Sequence, residues 1–168
     1  MPLPYYENIG VIMKMNGKTI EGTTPEIIVI PKGGVDHVFK AIPILSYDEF
    51  EKICPTPNAP EIIKPGGVRS FDYDDKEYNK LLDEWAERKA AWVTITSLKA
   101  TDGLEWDTVK EGDPATWTGY IKELATCFTD IEISLIIGIT HIACGLDQKK
   151  IDEATKRFLV GQEQDQKQ

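Results

Sequence analysis

The chain has 168 residues, 41% hydrophobic and 28% charged, which suits one folded domain with a real core and excludes a disordered chain. Lys and Arg number 19 against 28 Asp and Glu, a net charge of −9 with a pI near 4.8. An acidic chain of this kind excludes duplex nucleic acid as the main partner, because phosphate recognition needs a cationic face.

The opening Met1-Pro2-Leu3-Pro4 lacks the basic and apolar regions of a signal peptide. The longest apolar stretch, 131–144, contains Glu132, Ser134, Thr140 and His141 and is too short and too polar to span a bilayer. Cys54, Cys127 and Cys144 form no CxxC pair and read as reduced thiols, the last two on apolar helix faces. The expected setting is the cytosol, with no membrane contact.

The first third, 1–54, reads as β with one short helix. Residues 9–15 lead into Asn16-Gly17, a strong hairpin signal, and 18–21 return from it. Residues 26–30 are a second strand, closed by Pro31 and the Gly33-Gly34 pair, and 35–44 follow with imperfect alternation. Ser46 and Glu49 have capping-box spacing, which predicts a short helix carrying Phe50 and Ile53 and stopped by Pro55. Residues 55–73 then read as an extended arm: four prolines and two glycines between 55 and 67 oppose regular structure.

From 74 to 161 the pattern is helical. Between 75 and 98, Tyr78, Leu81, Leu82, Trp85, Lys89, Trp92, Val93 and Thr96 share one side at three- and four-residue spacing, with Asp83, Glu84, Glu87 and Arg88 opposite. Asp113-Pro114 is an N-cap followed by proline at the first helical position, predicting a helix to Cys127 with Trp117, Tyr120, Ile121 and Leu124 inward. Thr129 and Glu132 form a second capping box, opening a helix apolar almost all round and therefore central to the bundle. Gly145 ends it. Asp147 caps a last helix carrying Ile151, Ala154, Phe158 and Leu159, and 162–168 is a polar tail. The expected class is α+β: a small N-terminal antiparallel β region, a Pro/Gly-rich arm, and a C-terminal four-helix bundle-like domain.

Chemistry is hard to find. His37 and His141 have no companions at ligand spacing, so no metal is expected. No GxSxG or phosphate-binding GK[ST] loop occurs. In 104–109, Trp106 stands between Glu105 and Asp107, and such a pair could supply an acid and a base. Residues two apart in a loop point apart, however, and Leu104, Trp106 and Val109 alternate with polar neighbours. The segment reads as a clasp, with Trp106 stapling the long helix to the Asp113 helix and Trp117 close by. Neither an enzymatic activity nor a cofactor is expected.

One set of spacings goes further: the run 96–109, then Asp113-Pro114-Ala115-Thr116-Trp117, Glu123-Leu124, residues 128–132, and the ending 157–162. Together these resemble the tail assembly chaperones and small tail-morphogenesis proteins of tailed bacteriophages. The likeness covers roughly the C-terminal half and, more weakly, 42–55. It implies a protein-binding factor acting in the host cytoplasm, with the tape-measure protein, tail tube or capsid subunits, or further copies of itself as partners. A chaperone of that kind needs a soluble acidic shell and a groove for amphipathic helices. Trp92, Trp106, Trp117, Tyr120 and Phe158 are the candidate anchors, with Trp92 expected to be partly exposed. The alternative is a structural component of the virion, a decoration, neck or tail accessory protein, which the β-rich start and arm would suit.

Overall fold

A computed structural model describes residues 13–20, 25–145 and 148–165, and places antiparallel hairpins first and five helices in the C-terminal part. The chain is α+β. Strands β1 (Lys14–Met15) and β2 (Lys18–Thr19) turn at Asn16 and Gly17, both at positive φ, as a type I′ turn requires. The expected outer parts of this hairpin, 9–12 and 21, lie outside the described residues.

Strands β3 (Glu26–Lys32) and β4 (Val35–Ala41) pair in register about Gly33-Gly34. Pro31 does not close β3 as expected. It sits opposite Asp36, one step from the turn-closing Lys32–Val35 pair, where its missing N–H points away from the partner strand. Ile28, Ile30, Phe39 and Ala41 line the inner face.

Helix α1 (Asp48–Ile53) forms without the expected capping box: Tyr47 is the N-cap, and Ser46 Oγ accepts from the Asp48 N–H at 3.1 Å in a local turn. The arm is likewise more regular than expected. Strands β5 (Glu61–Lys64) and β6 (Val68–Phe71) form a hairpin, because Pro60 and Pro65 flank β5 rather than interrupt it. Pro65 and Gly66 occupy the centre of the turn, closed by Gly67 N–H to the Lys64 carbonyl at 3.0 Å.

Helix α2 (Lys76–Leu98) starts where Asp75 caps the Tyr78 N–H at 2.7 Å. Only its second half is buried, through Ala91, Trp92, Thr94, Ile95, Ser97 and Leu98; its first half runs outward and leaves Leu81 exposed. The expected single helix after Asp113 is two, α3 (Pro114–Trp117) and α4 (Tyr120–Ala125). They part at Thr118-Gly119, where a Cβ on Gly119 would come within 3.1 Å of the Thr116 carbonyl. Ile121, expected inward, is exposed. Helix α5 (Asp130–Ala143) has the capping box at Thr129, and Gly145 follows its end at φ 78. Helix α6 (Gln148–Asp165) completes a five-helix set in place of the expected four; its proposed cap Asp147 lies outside the described residues. It runs on into the segment expected as a polar tail.

One core joins both sides of the arm. Ile30, Phe39, Ala41 and Phe50 pack with Trp92, Ile95 and Leu98 of α2, Trp117, Tyr120 and Leu124 of α3 and α4, and Ile133, Ile136 and Ile139 of α5. Ser97 Oγ donates to the Ile42 carbonyl at 2.6 Å, and Thr101 Oγ1 accepts from Lys40 N–H at 2.9 Å, tying β4 to the end of α2.

Candidate functional site

The 104–109 segment is a clasp, and an acid outside it does the holding. Glu123 on α4 accepts the backbone N–H groups of Asp107 (2.8 Å), Thr108 (2.6 Å) and Val109 (3.2 Å), together with the Thr108 hydroxyl. Partial burial pushes the Glu123 carboxyl up, but these donors favour its anion and leave its pKa below the ordinary 4.5. Trp106 meets Tyr120 edge-on at 6.3 Å, and Trp117 Nε1 donates to the Lys110 and Glu111 carbonyls at 3.0 and 3.2 Å. Glu105 and Asp107 themselves are exposed. No local spacing marked Glu123 as the holder of this loop: its partners lie 14 to 16 residues upstream, and all but the Thr108 hydroxyl are backbone groups, which any sequence supplies.

The candidate anchors separate cleanly by burial. Trp117 is 1% exposed, and Trp92 and Tyr120 are also buried, so none can reach a partner docked on this conformation. Trp92, expected to be partly exposed, packs against Phe50 at 5.4 Å and Tyr47 at 5.9 Å. Trp106 is half-buried, and Phe158 is 64% exposed.

The hairpins and α5 leave more apolar surface uncovered. α5 is not central: Ile133, Ile136, Ile139 and Thr140 face the core, while Ile131 (75% exposed), Leu135 (50%) and Ile142 project outward. Ile131, Leu135, Gly138 and Ile142 fall at i, i+4, i+7 and i+11, one stripe along the helix. Gly138 makes a notch in it, since a Cβ there would meet nothing within 4 Å. The start of the stripe is tied to β3. Lys32 Nζ reaches Glu132 Oε2 at 2.7 Å, the same oxygen that accepts the Thr129 N–H at 2.8 Å. The hydrogen bond from Lys32, then that from Thr129, holds the Glu132 carboxyl below its usual range.

A groove of about 360 Å³ lies between α2 and the end of α5, with Tyr47, Trp85, Lys89, His141 and Cys144 on its walls. The chain fills its aromatic side itself, because Lys89 Nζ stands 4.8 Å from the Trp85 ring and 5.0 Å from the Tyr47 ring. His37 stacks edge-on with Phe128 at 6.0 Å. Cys127, expected on an apolar helix face, is exposed in the turn after α4; Cys144 is half-buried and Cys54 buried. Among the described residues no group of three or more His, Cys, Asp or Glu is placed to hold a metal ion, and no helix is long and apolar enough to cross a membrane.

Set against protein-family models, curated proteins and solved structures, the chain matches none of them.

Proposed function

We propose that this chain is a non-enzymatic protein-binding factor in tailed-phage assembly, a tail assembly chaperone that receives amphipathic helices of the tape-measure protein in the host cytoplasm. The outward stripe of α5 carries the reading. Ile131, Leu135 and Ile142, with the notch at Gly138, offer the seam into which an i, i+4, i+7 apolar face can lie. The net charge of −9 keeps such a surface soluble while it is uncovered. The resemblance of 96–109, 113–117, 123–124, 128–132 and 157–162 to tail assembly chaperones is the ground for naming this partner.

The test is co-expression of the full chain with the tape-measure protein of the same phage, followed by affinity capture. Leu135→Asp is expected to abolish co-capture while leaving the melting temperature within a few degrees, since Leu135 is half exposed and outside the core. Undiminished capture by the Leu135→Asp variant sinks the reading.

The hairpin β5–β6 favours a second reading, a structural component that stays in the virion. Its strands carry Ile63 (75% exposed) and Phe71 (54%) with no buried residue, as an arm that reaches a neighbouring subunit would. Mass spectrometry of purified virions separates the two. A fixed copy number supports the structural role, and absence supports the chaperone.

A further inference from the structure

We propose that Asn16 is a spontaneous modification site: the Gly17 backbone nitrogen displaces the Asn16 side-chain amide, and the isoaspartate that follows dismantles the β1–β2 turn. Asn16 is the single non-glycine residue at positive φ among the described residues, at 52°. Of the asparagines Asn8, Asn16, Asn58 and Asn79, it alone precedes a glycine. Glycine has no side chain to shield its nitrogen or to restrict the torsions that an attack needs. Even a Cβ built on Gly17 would meet nothing within 4 Å, so no neighbouring group crowds the nucleophile.

The reaction balances with solvent alone. Hydroxide takes the Gly17 N–H proton, and the nitrogen bonds to Cγ of Asn16. The Cγ–Nδ2 bond breaks, and the side-chain nitrogen takes a proton from water and leaves as ammonia. Water then opens the five-membered imide at either carbonyl, leaving aspartate or isoaspartate. Nothing is oxidised or reduced. Residues 13–20 hold Lys14 and Lys18 and no acid, on a chain whose net charge is −9. These ammonium groups favour the nitrogen anion that the attack requires.

The fold leaves this asparagine reactive and protects its counterparts. A type I′ turn holds Asn16 and Gly17 away from the torsions of ring closure, so the hairpin must open first. Little keeps it shut. Its strands have two residues each, every residue from 13 to 20 is exposed, and beyond the strands one bond closes it, Ile20 N–H to the Met13 carbonyl at 3.0 Å. Asn79, in the first turn of α2, instead donates Nδ2 to the Tyr73 and Asp75 carbonyls at 2.9 and 2.8 Å. Asp102-Gly103 repeats the glycine, but Lys40 Nζ at 2.6 Å holds the Asp102 carboxyl as its anion, which a nucleophile attacks poorly. In the isoaspartyl product the main chain runs through the former side chain and gains a methylene. The two-residue loop then no longer fits between the paired Met15 and Lys18.

Ageing of the full chain in mildly alkaline buffer at body temperature tests this, read by peptide mapping that separates aspartyl from isoaspartyl products. Asn16 should convert roughly tenfold faster than Asn58, which is exposed but precedes Ala59, and its rate should rise with pH. Asn16→Gln, which would have to close a larger ring, should age without such a product. In the isolated isoaspartyl form the Ile20 amide should exchange with solvent deuterium several-fold faster. The melting temperature should stay, because no residue of the hairpin is buried. Conversion at Asn16 no faster than at Asn58 overturns the site. An isoaspartyl form whose Ile20 amide stays as protected as before overturns the effect on the turn. Neither result touches the proposed role in phage assembly, on which this inference does not rest.

Discussion

The hairpins β3–β4 and β5–β6 both use two glycines to turn and end in different surroundings. Each loop holds two adjacent glycines at positive φ, Gly33-Gly34 at 60° and 76° and, after Pro65, Gly66-Gly67 at 95° and 77°. Each is two strands with continuous antiparallel register. The first presses Ile30, Phe39 and Ala41 onto α2 and α5, whereas the second buries no residue. Turn chemistry thus decides that a hairpin forms, and the partner available on one face decides whether it belongs to the core. A two-stranded hairpin is marginal by itself, so the same architecture should be stable to unequal degrees in one molecule.

The largest effect expected to separate them is truncation of their phenylalanines. Phe39 is buried and meets Phe128 edge-on at 5.5 Å, so Phe39→Ala should cost about 3–5 kcal/mol, a drop of roughly 6–20 °C in melting temperature. Phe71→Ala in the free hairpin should stay within about 0.5 kcal/mol. Equal losses in the two variants, followed by thermal unfolding, would show that β5–β6 shares the core after all.

A smaller effect concerns a segment that lacks a regular partner yet is held. The 104–109 loop is anchored by the carboxylate of Glu123, whereas the Arg69–Glu61 ion pair of the β5–β6 arm, at 3.4 Å, is exposed. Glu123→Ala should cost about 1–3 kcal/mol, because the loop N–H groups lose their acceptor. The folded pKa lies below the ordinary 4.5, so this contribution is complete above that value and fades as the pH falls through the folded pKa. Melting curves of the wild type should therefore fall more steeply with acid below pH 4.5 than those of Glu123→Gln. Parallel pH profiles for the two would dismiss Glu123 as the anchor.

How much of this was legible in the sequence follows from the range over which each signal acts. Asn16-Gly17, Asp113-Pro114 and the Thr129–Glu132 box act within four residues, and this turn and these caps stand where they were expected. Prolines misled twice, at Pro31 and around β5, because composition does not tell which side of a ladder a missing N–H faces. Glu123 needed the loop folded back on it before it had a role. α5, apolar almost all round, could not disclose which face the fold leaves uncovered, and that face is the candidate surface. The burial of Trp92, expected to be partly exposed, has a related reason: size marks a residue for burial and for binding alike, and Trp92 and Trp117 went to the core.

The finest test of the hairpin comparison applies one substitution to both turns. Gly34→Ala and Gly67→Ala each force a Cβ into the left-handed region, at φ 76° and 77°, with nothing within 4 Å to clash, so the local strain is the same, about 1 kcal/mol. In β3–β4 that strain must be borne by the whole fold, since the turn cannot relax without lifting Ile30 and Phe39 off the core, and the global stability should fall by the full amount. In β5–β6 the hairpin can open alone. Global stability should then be unchanged while the Asp72 amide, which donates to the Pro60 carbonyl at 2.9 Å, exchanges several-fold faster with solvent deuterium. If Gly67→Ala lowers the melting temperature as much as Gly34→Ala does, the arm is coupled to the core through contacts stronger than its exposure implies, and the division between the two hairpins fails.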